Sequence, residues 1–265
     1  MVRILCASDT HGIADVGKLA TSAIRLKADV LVFSGDIEPV YKRISPEGYF
    51  YGVFMEAVRK LMHHCIDVVV VPGNHDFFLN RMITDDPKKR LIGNLHILVD
   101  RSETVCGLKF YGTPWVPFIN GRWCWERDDN LLDEKFDLIP IGIDVLVCHT
   151  PPEGVCEEDT FDVSRQHHRM YWQHFGSKSL RDAILRCRPR CVVCGHIHSG
   201  DHGLNRIGDT ALINCSIIDE RYAEAYNPSE IEVVVCEDGS RKMRFKTEGA
   251  KKWETINQTG GAYDV

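Results

Sequence analysis

Two histidines separated by one residue, His196 and His198, follow a short apolar run and a glycine. On an extended backbone, side chains at positions i and i+2 point to the same side, so both imidazoles would project beyond the end of a buried strand. Imidazole is a common protein ligand for manganese, iron, nickel and zinc ions. Two imidazoles alone make a poor metal site, and a loop histidine pair without a role has the same pattern. A metal site here therefore requires ligands from other parts of the chain.

Potential ligands stand just past an apolar run at four further places. They are Asp9 and His11 after residues 3–7, Asp36 after residues 29–34, Asn74 after residues 67–71, and His149 after residues 144–147. Together with the histidine pair, these seven nitrogen and oxygen ligands exceed the needs of one ion and suit two ions that share a bridging carboxylate. The set contains no thiolate. It therefore favours two divalent ions, manganese first and iron, zinc, nickel, cobalt or magnesium as alternatives, over a structural cysteine–zinc site.

The segments that must position these ligands alternate between strand and helix patterns. Apolar residues recur at helical spacing across residues 15–27 and again across residues 51–62, where Tyr51 and Met62 belong to the predicted apolar face. Such alternation is typical of an α/β fold with a mostly parallel sheet, in which sites form beyond the carboxyl ends of the strands. We therefore expect the seven ligands to lie together at one edge of a sheet.

The pattern changes from residue 88 onwards. Residues 95–99 and 104–111 are rich in β-formers without a helix between them, which predicts antiparallel pairing, and residues 211–215, 231–236 and 241–247 predict a C-terminal sheet. Residues 153–176 predict an insertion, either a lid over the strand ends or a solvated surface loop. We expect one domain over residues 1–250, followed by a poorly ordered tail over residues 251–265.

Composition restricts the class of protein further. The chain has 265 residues, of which 44% are hydrophobic and 26% charged, and these are ordinary values for a soluble globular protein. A net charge of −6 without a long basic run argues against a surface built for duplex nucleic acid. The eleven cysteines are an odd number, and the sequence shows neither a signal-peptide pattern nor a stretch that could span a membrane. We therefore predict a cytoplasmic protein with free thiols.

Five ordered motifs resemble the signatures of the calcineurin-like metallophosphoesterase superfamily. They are Ser-Asp-Thr-His-Gly at residues 8–12, Gly-Asp at 35–36, Gly-Asn-His-Asp at 73–76, Cys-His-Thr at 148–150 and Gly-His-Ile-His at 195–198. The combination spans residues 7–199 and is highly specific. Thr-Pro-Trp at 113–115, His-Thr-Pro-Pro at 149–152 and Asn-Cys-Ser at 214–216 resemble in particular the branch of metallophosphoesterase-domain-containing proteins. The resemblance implies a layered fold in which helices flank a two-sheet β-sandwich, with a dinuclear metal site at the strand ends.

The resemblance also implies a role for each site residue. Asp9, His11, Asp36 and His198 would hold the first metal, and Asp36, Asn74, His149 and His196 the second, with Asp36 bridging. His75 would be the catalytic histidine beside the leaving group. The activity common to this branch is hydrolysis of phosphodiesters, here small molecules such as cyclic nucleotides, by a hydroxide that bridges the metals. Phe77, Phe78 and Trp115 would either stack on an aromatic part of the substrate or simply pack beside the site.

One departure from the superfamily pattern concerns residues 35–40. The protein phosphatases of the superfamily carry Gly-Asp-x-x-Asp-Arg-Gly, whereas Pro39 stands where the aspartate that orients the catalytic histidine would be, and the following arginine is missing. This argues against protein phosphatase activity. The missing aspartate leaves open which residue orients His75. The adjacent Asp76 could do so only if its side chain points towards the His75 ring.

Three other functions compete with a small-molecule phosphodiesterase. A nuclease similar to DNA-repair exonucleases shares the Gly-Asn-His-Asp and Gly-His-x-His motifs, but the acidic net charge argues against it. A phosphomonoesterase would use the same ligands. A non-enzymatic scaffold on this fold would not need all seven metal ligands.

Overall fold

The structure is a computed structural model that describes residues 1–41, 43–155, 160–162, 171–173, 176–236 and 240–256. The α-helices in this part of the chain are α1 (Val16–Leu26), α2 (Pro46–Tyr49), α3 (Met55–His63), α4 (Phe77–Asp85), α5 (Asp129–Phe136) and α6 (Lys178–Cys187). A π-helical segment, Phe50–Phe54, joins α2 to α3, and a 3-10 helix, Pro87–Arg90, follows α4. Among the described residues, no helix combines the length and hydrophobicity that a membrane crossing requires.

The described part of the chain contains eighteen strands. The first nine are β1 (Val2–Ala7), β2 (Val30–Phe33), β3 (Asp67–Val70), β4 (Leu91–Ile92), β5 (Leu95–Ile97), β6 (Arg101–Val105), β7 (Leu108–Thr113), β8 (Val116–Pro117) and β9 (Glu126–Arg127). The others are β10 (Val145–Cys148), β11 (Thr160–Asp162), β12 (Tyr171–Gln173), β13 (Cys191–Cys194), β14 (Leu204–Ile207), β15 (Thr210–Asn214), β16 (Ser229–Val235), β17 (Arg241–Lys246) and β18 (Glu254–Ile256).

In the described part of the chain, these strands form two main sheets. The first has the order β18-β17-β16-β1-β2-β3-β5-β4, and the second has the order β14-β15-β13-β10-β7-β6. Each has a central group of parallel strands, β1-β2-β3-β5 in the first and β15-β13-β10-β7 in the second, with antiparallel strands outside it. The carboxyl ends of the two parallel groups meet, since Ser8 after β1 bridges to Ser216 after β15.

Alternation of side chains along the central strands builds three apolar layers. In β1, Leu5 packs with the layer under α1, α3 and α4, whereas Ile4 faces the second sheet. In β13, Cys191 faces the first sheet, whereas Cys194 packs with the layer under α5 and α6. Because both faces are covered, these strands are continuous apolar runs in the sequence. The predicted α/β layered fold, a two-sheet sandwich flanked by helices, is confirmed.

The predicted antiparallel pairing of residues 95–99 with residues 104–111 is wrong. β5 pairs in parallel with β3 in the first sheet, whereas β6 and β7 form a hairpin in the second sheet. The hairpin turns at Cys106 and Gly107, whose φ values of 49° and 76° are left-handed. Such a pair of left-handed residues makes a two-residue hairpin turn, which divides the segment that we interpreted as one strand.

The predicted C-terminal sheet is also wrong. β15 lies beside β13 in the second sheet, whereas β16 and β17 extend the first sheet beside β1. Three short strands that are close in the sequence therefore complete two different sheets. Their apolar patterns indicate strands but contain no information about which partner each strand has.

The apolar face predicted over residues 51–62 is narrower in the structure. Tyr51 and Met62 are 43% and 45% exposed, while Phe54, Val58 and Leu61 are buried. A π-helical turn has more residues than an α-helical turn. Because residues 50–54 form such a turn, the helical spacing assumed from the sequence does not hold there.

Two predicted boundaries lie partly outside the described residues. Of the insertion predicted at residues 153–176, the structure describes its first and last residues and the short antiparallel pair β11–β12. Within the tail predicted at residues 251–265, β18 pairs with β17, so the ordered sheet extends beyond residue 250. The division into one domain and a tail stays a prediction.

Candidate metal centre

The seven predicted ligands come together, but the expectation that they share one edge of a single sheet is wrong, because they lie where the carboxyl ends of two parallel groups in different sheets meet. Loops after β1, β2 and β3 carry Asp9, His11, Asp36 and Asn74, and loops after β10 and β13 carry His149, His196 and His198. Among the described residues, three groups have ligand atoms within 4.8 Å of one another. The first is Asp9–His11–His198, the second is Asp36–His149–His196, and the third, His11–Asp36–His75, includes the predicted catalytic histidine. Asn74 joins the second group, because its Oδ1 lies 2.9 Å from His149 Nε2.

Asp36 lies between the first two groups. Its Oδ2 is 3.6 Å from His11 Nε2 and 3.3 Å from His149 Nε2. Its other oxygen, Oδ1, accepts a hydrogen bond of 2.8 Å from the backbone amide of His75. One carboxylate thus faces a histidine from each sheet, which is the placement that a bridging ligand requires.

Four of the seven ligands have a left-handed backbone. The φ values are 55° at Asp9, 48° at His11, 53° at Asp36 and 70° at His196. Non-glycine residues rarely adopt this conformation, which costs about 1–3 kcal/mol at each position and concentrates at functional sites. Backbone hydrogen bonds from Asp9 to Gly35 O (3.0 Å) and from His11 to Asp36 O (2.9 Å) hold two of these residues in place.

Two glycines allow the ligand loops to approach one another. A Cβ at Gly35, where φ is +110°, would collide with the His149 imidazole, and a Cβ at Gly73 would collide with the Asp36 carboxylate. The glycines of the Gly-Asp and Gly-Asn-His-Asp motifs are therefore required by packing around the ligands.

Hydrogen bonds from the protein fix the orientation of two histidines. His149 Nδ1 lies 2.8 Å from Ser34 O, and His198 Nδ1 lies 3.3 Å from Asp219 O. Because a carbonyl oxygen only accepts, Nδ1 must donate in both cases, so Nε2 faces the centre of the site. Outer contacts of this kind are the usual support of metal-binding histidines.

The electrostatic environment separates the histidines into two kinds. Burial lowers the pKa of His11 to about 4, and burial together with the charge of His149 lowers the pKa of His196 to about 3. Burial acts in the same direction on His149, but the charge and contact of Asp36 outweigh it and raise the pKa of His149 to about 9. His11 and His196 therefore present neutral nitrogens, the form in which imidazole binds metals.

The residues fit a divalent cation. His11 is 1% exposed, and neither of its ring nitrogens has a hydrogen-bond partner in the described part of the chain. A buried polar atom without a partner costs about 1–3 kcal/mol. A cation between His11 and Asp36 would satisfy Nε2, and the whole set offers the nitrogen and oxygen donors that manganese, iron and zinc accept.

His75 stands at the open side of the centre. Its side chain is 19% exposed, and Nε2 points inward, 4.0 Å from Asp36 Oδ2. Burial lowers the pKa of His75. The imidazole lies against the indole of Trp123, with a distance of 4.2 Å between ring centroids and an angle of 33° between the planes. Trp123 lies in a polar segment without a motif, so the sequence contains no signal for this contact.

Asp76 points away from His75. Its carboxylate accepts hydrogen bonds from the backbone amides of Ile37 (2.8 Å), Glu38 (2.9 Å) and Gly73 (2.7 Å). In return, the Glu38 carboxylate accepts from two amides in the first turn of α4. The two carboxylates thus lock the Gly-Asp loop to the Gly-Asn-His-Asp loop, and Asp76 does not orient His75.

The three aromatic residues proposed to stack on a substrate differ in exposure. Trp115 is buried and contacts the cationic groups of Arg127 and Lys135, and Phe78 is buried in the core, so both have a packing role. Phe77 is 46% exposed and lies beside Trp123, with 6.0 Å between ring centroids. Of the three, only Phe77 remains a candidate for substrate contact.

Two further residues near the centre were missed from the sequence. The ring of Tyr222 lies 5.1 Å from His11 and 5.4 Å from His198. Asn214 donates a hydrogen bond of 2.7 Å to Ile197 O, between the two histidines of the Gly-His-Ile-His motif. The Asn-Cys-Ser motif resembles the family pattern in sequence, and the structure shows that its asparagine supports the loop between the two histidines.

Fold and site together define a metallophosphoesterase. The chain belongs to the calcineurin-like phosphoesterase family, whose profile matches residues 2–200. The resemblance drawn from the motifs is therefore confirmed. Family membership and the clustered ligands support a divalent-metal site and hydrolysis of phosphoester bonds.

Individual relatives agree with this assignment. UPF0046 protein C25E10.12 of Caenorhabditis elegans is 29% identical over 242 residues, which cover 86% of this chain and 79% of that protein. Metallophosphoesterase domain-containing protein 1 of Homo sapiens is 28% identical over 255 residues, which cover 87% of this chain and 71% of that protein. The crystal structure of TT1561 of Thermus thermophilus has a TM-score of 0.55 at 14% identity, covers 97% of this chain and 98% of that chain, and shows a shared fold.

Proposed function

We propose that this protein is a phosphodiesterase that acts on small molecules, for example cyclic nucleotides, with two divalent cations, manganese first. One ion would be held by Asp9, His11, Asp36 and His198, and the other by Asp36, Asn74, His149 and His196. The observation that carries the proposal is the position of Asp36 Oδ2, within 3.6 Å of a histidine nitrogen from each group. The predicted cytoplasmic location stays a prediction.

When bound, the cations would supply positive charge to the phosphate oxygens and lower the pKa of water. The chain itself contributes orientation and proton transfer. His149 and His198 keep their protons on Nδ1, bonded to backbone carbonyls, so that Nε2 is directed at the centre. His75 Nε2 faces the centre from the open side and would donate a proton to the leaving oxygen.

The preference for diesters rests on the loop after Asp36. A phosphate monoester carries one more negative charge than a diester, and the superfamily's protein phosphatases use an arginine in this loop to grip it. Here residues 37–40 are Ile-Glu-Pro-Val, and the acidic side chain among them turns to the amides of α4. The loop therefore contributes no positive charge for the additional phosphate charge.

The experiment is a substrate panel with Mn²⁺ and the full chain. Bis-p-nitrophenyl phosphate, p-nitrophenyl phosphate, cyclic AMP and single-stranded DNA are compared under one condition. We expect the small diesters to be hydrolysed faster than the monoester. A faster rate on the monoester, or cleavage of DNA without cleavage of small diesters, would replace this proposal with the phosphomonoesterase or the nuclease.

Metal content provides a second and independent measurement. We expect two ions per chain in Mn²⁺-loaded protein after removal of free metal. One ion or none at saturation would contradict the proposed pair of sites, whatever the activity.

A further inference from the structure

We infer that Trp123 is a positioning residue for His75, whose imidazole it holds by a close, tilted ring contact where the protein phosphatases of the superfamily use an aspartate. The inference rests on the proposed function, in which His75 donates a proton to the leaving oxygen. It concerns a segment of the chain, residues 118–127, that lies outside the metallophosphoesterase motifs.

The His75 ring is restrained by rings and not by hydrogen bonds. The Trp123 indole covers one face at 4.2 Å, and the ring of His11 approaches edge-on at 4.8 Å with an angle of 85°. Within the described residues, no side chain forms a hydrogen bond with the His75 imidazole, because Asp36 Oδ2 is 4.0 Å away. The plane of the imidazole is therefore set by packing.

Both carboxylates that could orient His75 are missing from its surroundings. At the position of the family aspartate, Pro39 packs against Gly12, where an added Cβ would be 2.6 Å from the Pro39 Cβ. Val40 fixes this arrangement by donating a hydrogen bond of 3.1 Å to His11 O. Asp76 uses its oxygens for three backbone amides. Among the described residues, the ring contacts that remain for His75 are the tilted indole of Trp123 and the edge-on imidazole of His11.

Trp123 is itself held firmly enough to orient another ring. Its backbone amide donates a hydrogen bond of 2.7 Å to Glu126, whose carboxylate also accepts from the amides of residues 119–121. The next amide, that of Cys124, donates to Asn74 O at 3.1 Å. The segment is thus tied to the residue directly before His75, so the indole and the imidazole are positioned by one connected structure.

A ring contact and a carboxylate would act differently on the catalytic histidine. A carboxylate accepts a hydrogen bond from one ring N–H, and this directed bond fixes the ring. An indole face restrains the plane of the ring and leaves both nitrogens without a partner. Loss of Trp123 should therefore disturb the direction in which Nε2 donates and leave the metal ligands in place.

Steady-state kinetics on bis-p-nitrophenyl phosphate and cyclic AMP, with Mn²⁺, test this inference. We expect Trp123→Ala to lower kcat by about 10–100-fold, the range for a misplaced catalytic group, with KM and metal content little changed. The loss should be larger on cyclic AMP, because a ribose oxygen needs a proton to leave and p-nitrophenolate does not. Trp123→Phe keeps a planar ring and should recover most of kcat. Phe118→Ala is the matched control, since Phe118 lies in the same segment and is 58% exposed.

A double-mutant cycle with His75→Ala separates positioning from a structural role. If Trp123 acts through His75, Trp123→Ala should cause no additional loss of kcat in the His75→Ala background. An equal loss in both backgrounds would overturn the inference. A raised KM with unchanged kcat would also overturn it, because Trp123 would then contact the substrate.

Histidine ring spectra test the contact without any activity. In zinc-loaded protein, which is diamagnetic, the His75 ring protons are identified by their absence in His75→Ala. We expect them to be shifted upfield by the indole, to move downfield in Trp123→Ala and to stay in place in Phe118→Ala. If wild-type protein hydrolyses no phosphoester, the proposed function fails while this measurement still decides the ring contact. If the wild-type enzyme is active but the His75 signals do not move in Trp123→Ala, the inference is wrong.

Discussion

The two histidines on either side of Asp36 are equally buried but are held in opposite ways. His149 has partners at both ring nitrogens, Ser34 O at 2.8 Å and Asn74 Oδ1 at 2.9 Å. His11 has none among the described residues. Within the described residues, the protein therefore satisfies His149 by itself, whereas the ring of His11 needs a further ligand. We therefore expect the half of the centre around His149 to be already formed in the metal-free protein, and the half around His11 to gain its partner only when the proposed ion binds.

The largest effect is expected where the two halves join. Asp36→Asn keeps the size of the side chain but removes the charge that faces His11 and His149. We expect kcat with Mn²⁺ to fall by at least about 10³-fold, the upper end for loss of a group that stabilises charge in the transition state. Asp182→Asn is the control, because the Asp182 side chain is 57% exposed and pairs with Lys178 on the surface. Full activity in Asp36→Asn would show that the halves do not share a carboxylate.

We expect His75→Ala to cause the second largest loss of activity and to leave metal binding in both halves of the centre unchanged. His75 is not assigned as a ligand, so we expect both ions to remain bound while activity falls by about 10²–10⁴-fold, the range for losing a general acid. The fall should be smaller on p-nitrophenyl esters than on cyclic AMP. Loss of an ion in this variant would show that the roles of Asn74 and His75 are exchanged. Equal losses on both substrates would indicate that His75 orients the phosphate.

The stability of the metal-free protein directly tests the difference between His149 and His11. His149→Gln leaves Ser34 O without its partner, and we expect a loss of about 1–3 kcal/mol in the free energy of unfolding. His11→Gln replaces one unpartnered polar group by another, so the loss should be clearly smaller. Urea unfolding in the presence of a chelator measures both.

Binding of Mn²⁺ should show the complementary result. We expect His11→Gln to weaken the binding of Mn²⁺ and to leave the metal-free protein nearly as stable as wild type. If His11→Gln were the more destabilising change without metal, the division of the centre into a folded half and an ion-completed half would be wrong.

The sequence predicted the part of the site that strand ends determine. Asp9 and Asp36 follow buried apolar runs that are neighbouring parallel strands, and such strands bring these positions to one edge of the first sheet. His149 also follows a buried run, but its strand belongs to the second sheet, and the sequence patterns do not reveal that two sheets meet at the site. The left-handed backbone at Asp9 and Asp36 could not be predicted in the same way, because glycine is the residue that normally indicates it.

Contacts made by irregular segments were not predictable. Trp123 reaches His75 through a segment without periodicity, and Tyr222 reaches His11 through a turn. Strand pairing failed for the same kind of reason, since the assignment of β15 and β16 to different sheets depends on partners distant in the sequence. Local patterns fix the type of an element, whereas tertiary packing fixes its neighbours.

The segment that carries Trp123 resembles the His149 half in one respect, because the protein itself provides hydrogen-bond partners for its buried carboxylate. Glu126 is 6% exposed and accepts four backbone hydrogen bonds, from residues 119–121 and from Trp123. Glu126→Gln keeps the shape but removes the charge that strengthens these bonds. We expect the free energy of unfolding at pH 7 to fall by about 1 kcal/mol. Glu134→Gln, at an exposed position of α5, should change it little.

The pH dependence of the stability loss in Glu126→Gln shows whether the charge of Glu126 causes it. Burial acts to raise the pKa of Glu126, but the four amide hydrogen bonds outweigh it and hold the pKa below its ordinary value. In the unfolded chain a glutamate titrates near pH 4.3, at about its reference pKa. A folded pKa below that value means that the stabilisation is fully present above it and is lost as pH falls through the folded pKa. The difference between wild type and Glu126→Gln, measured by urea unfolding, should therefore shrink as pH is lowered from 7 towards 3. If wild type and Glu126→Gln differ in the free energy of unfolding by the same amount at pH 7 and pH 3, Glu126 supports the segment by its shape alone.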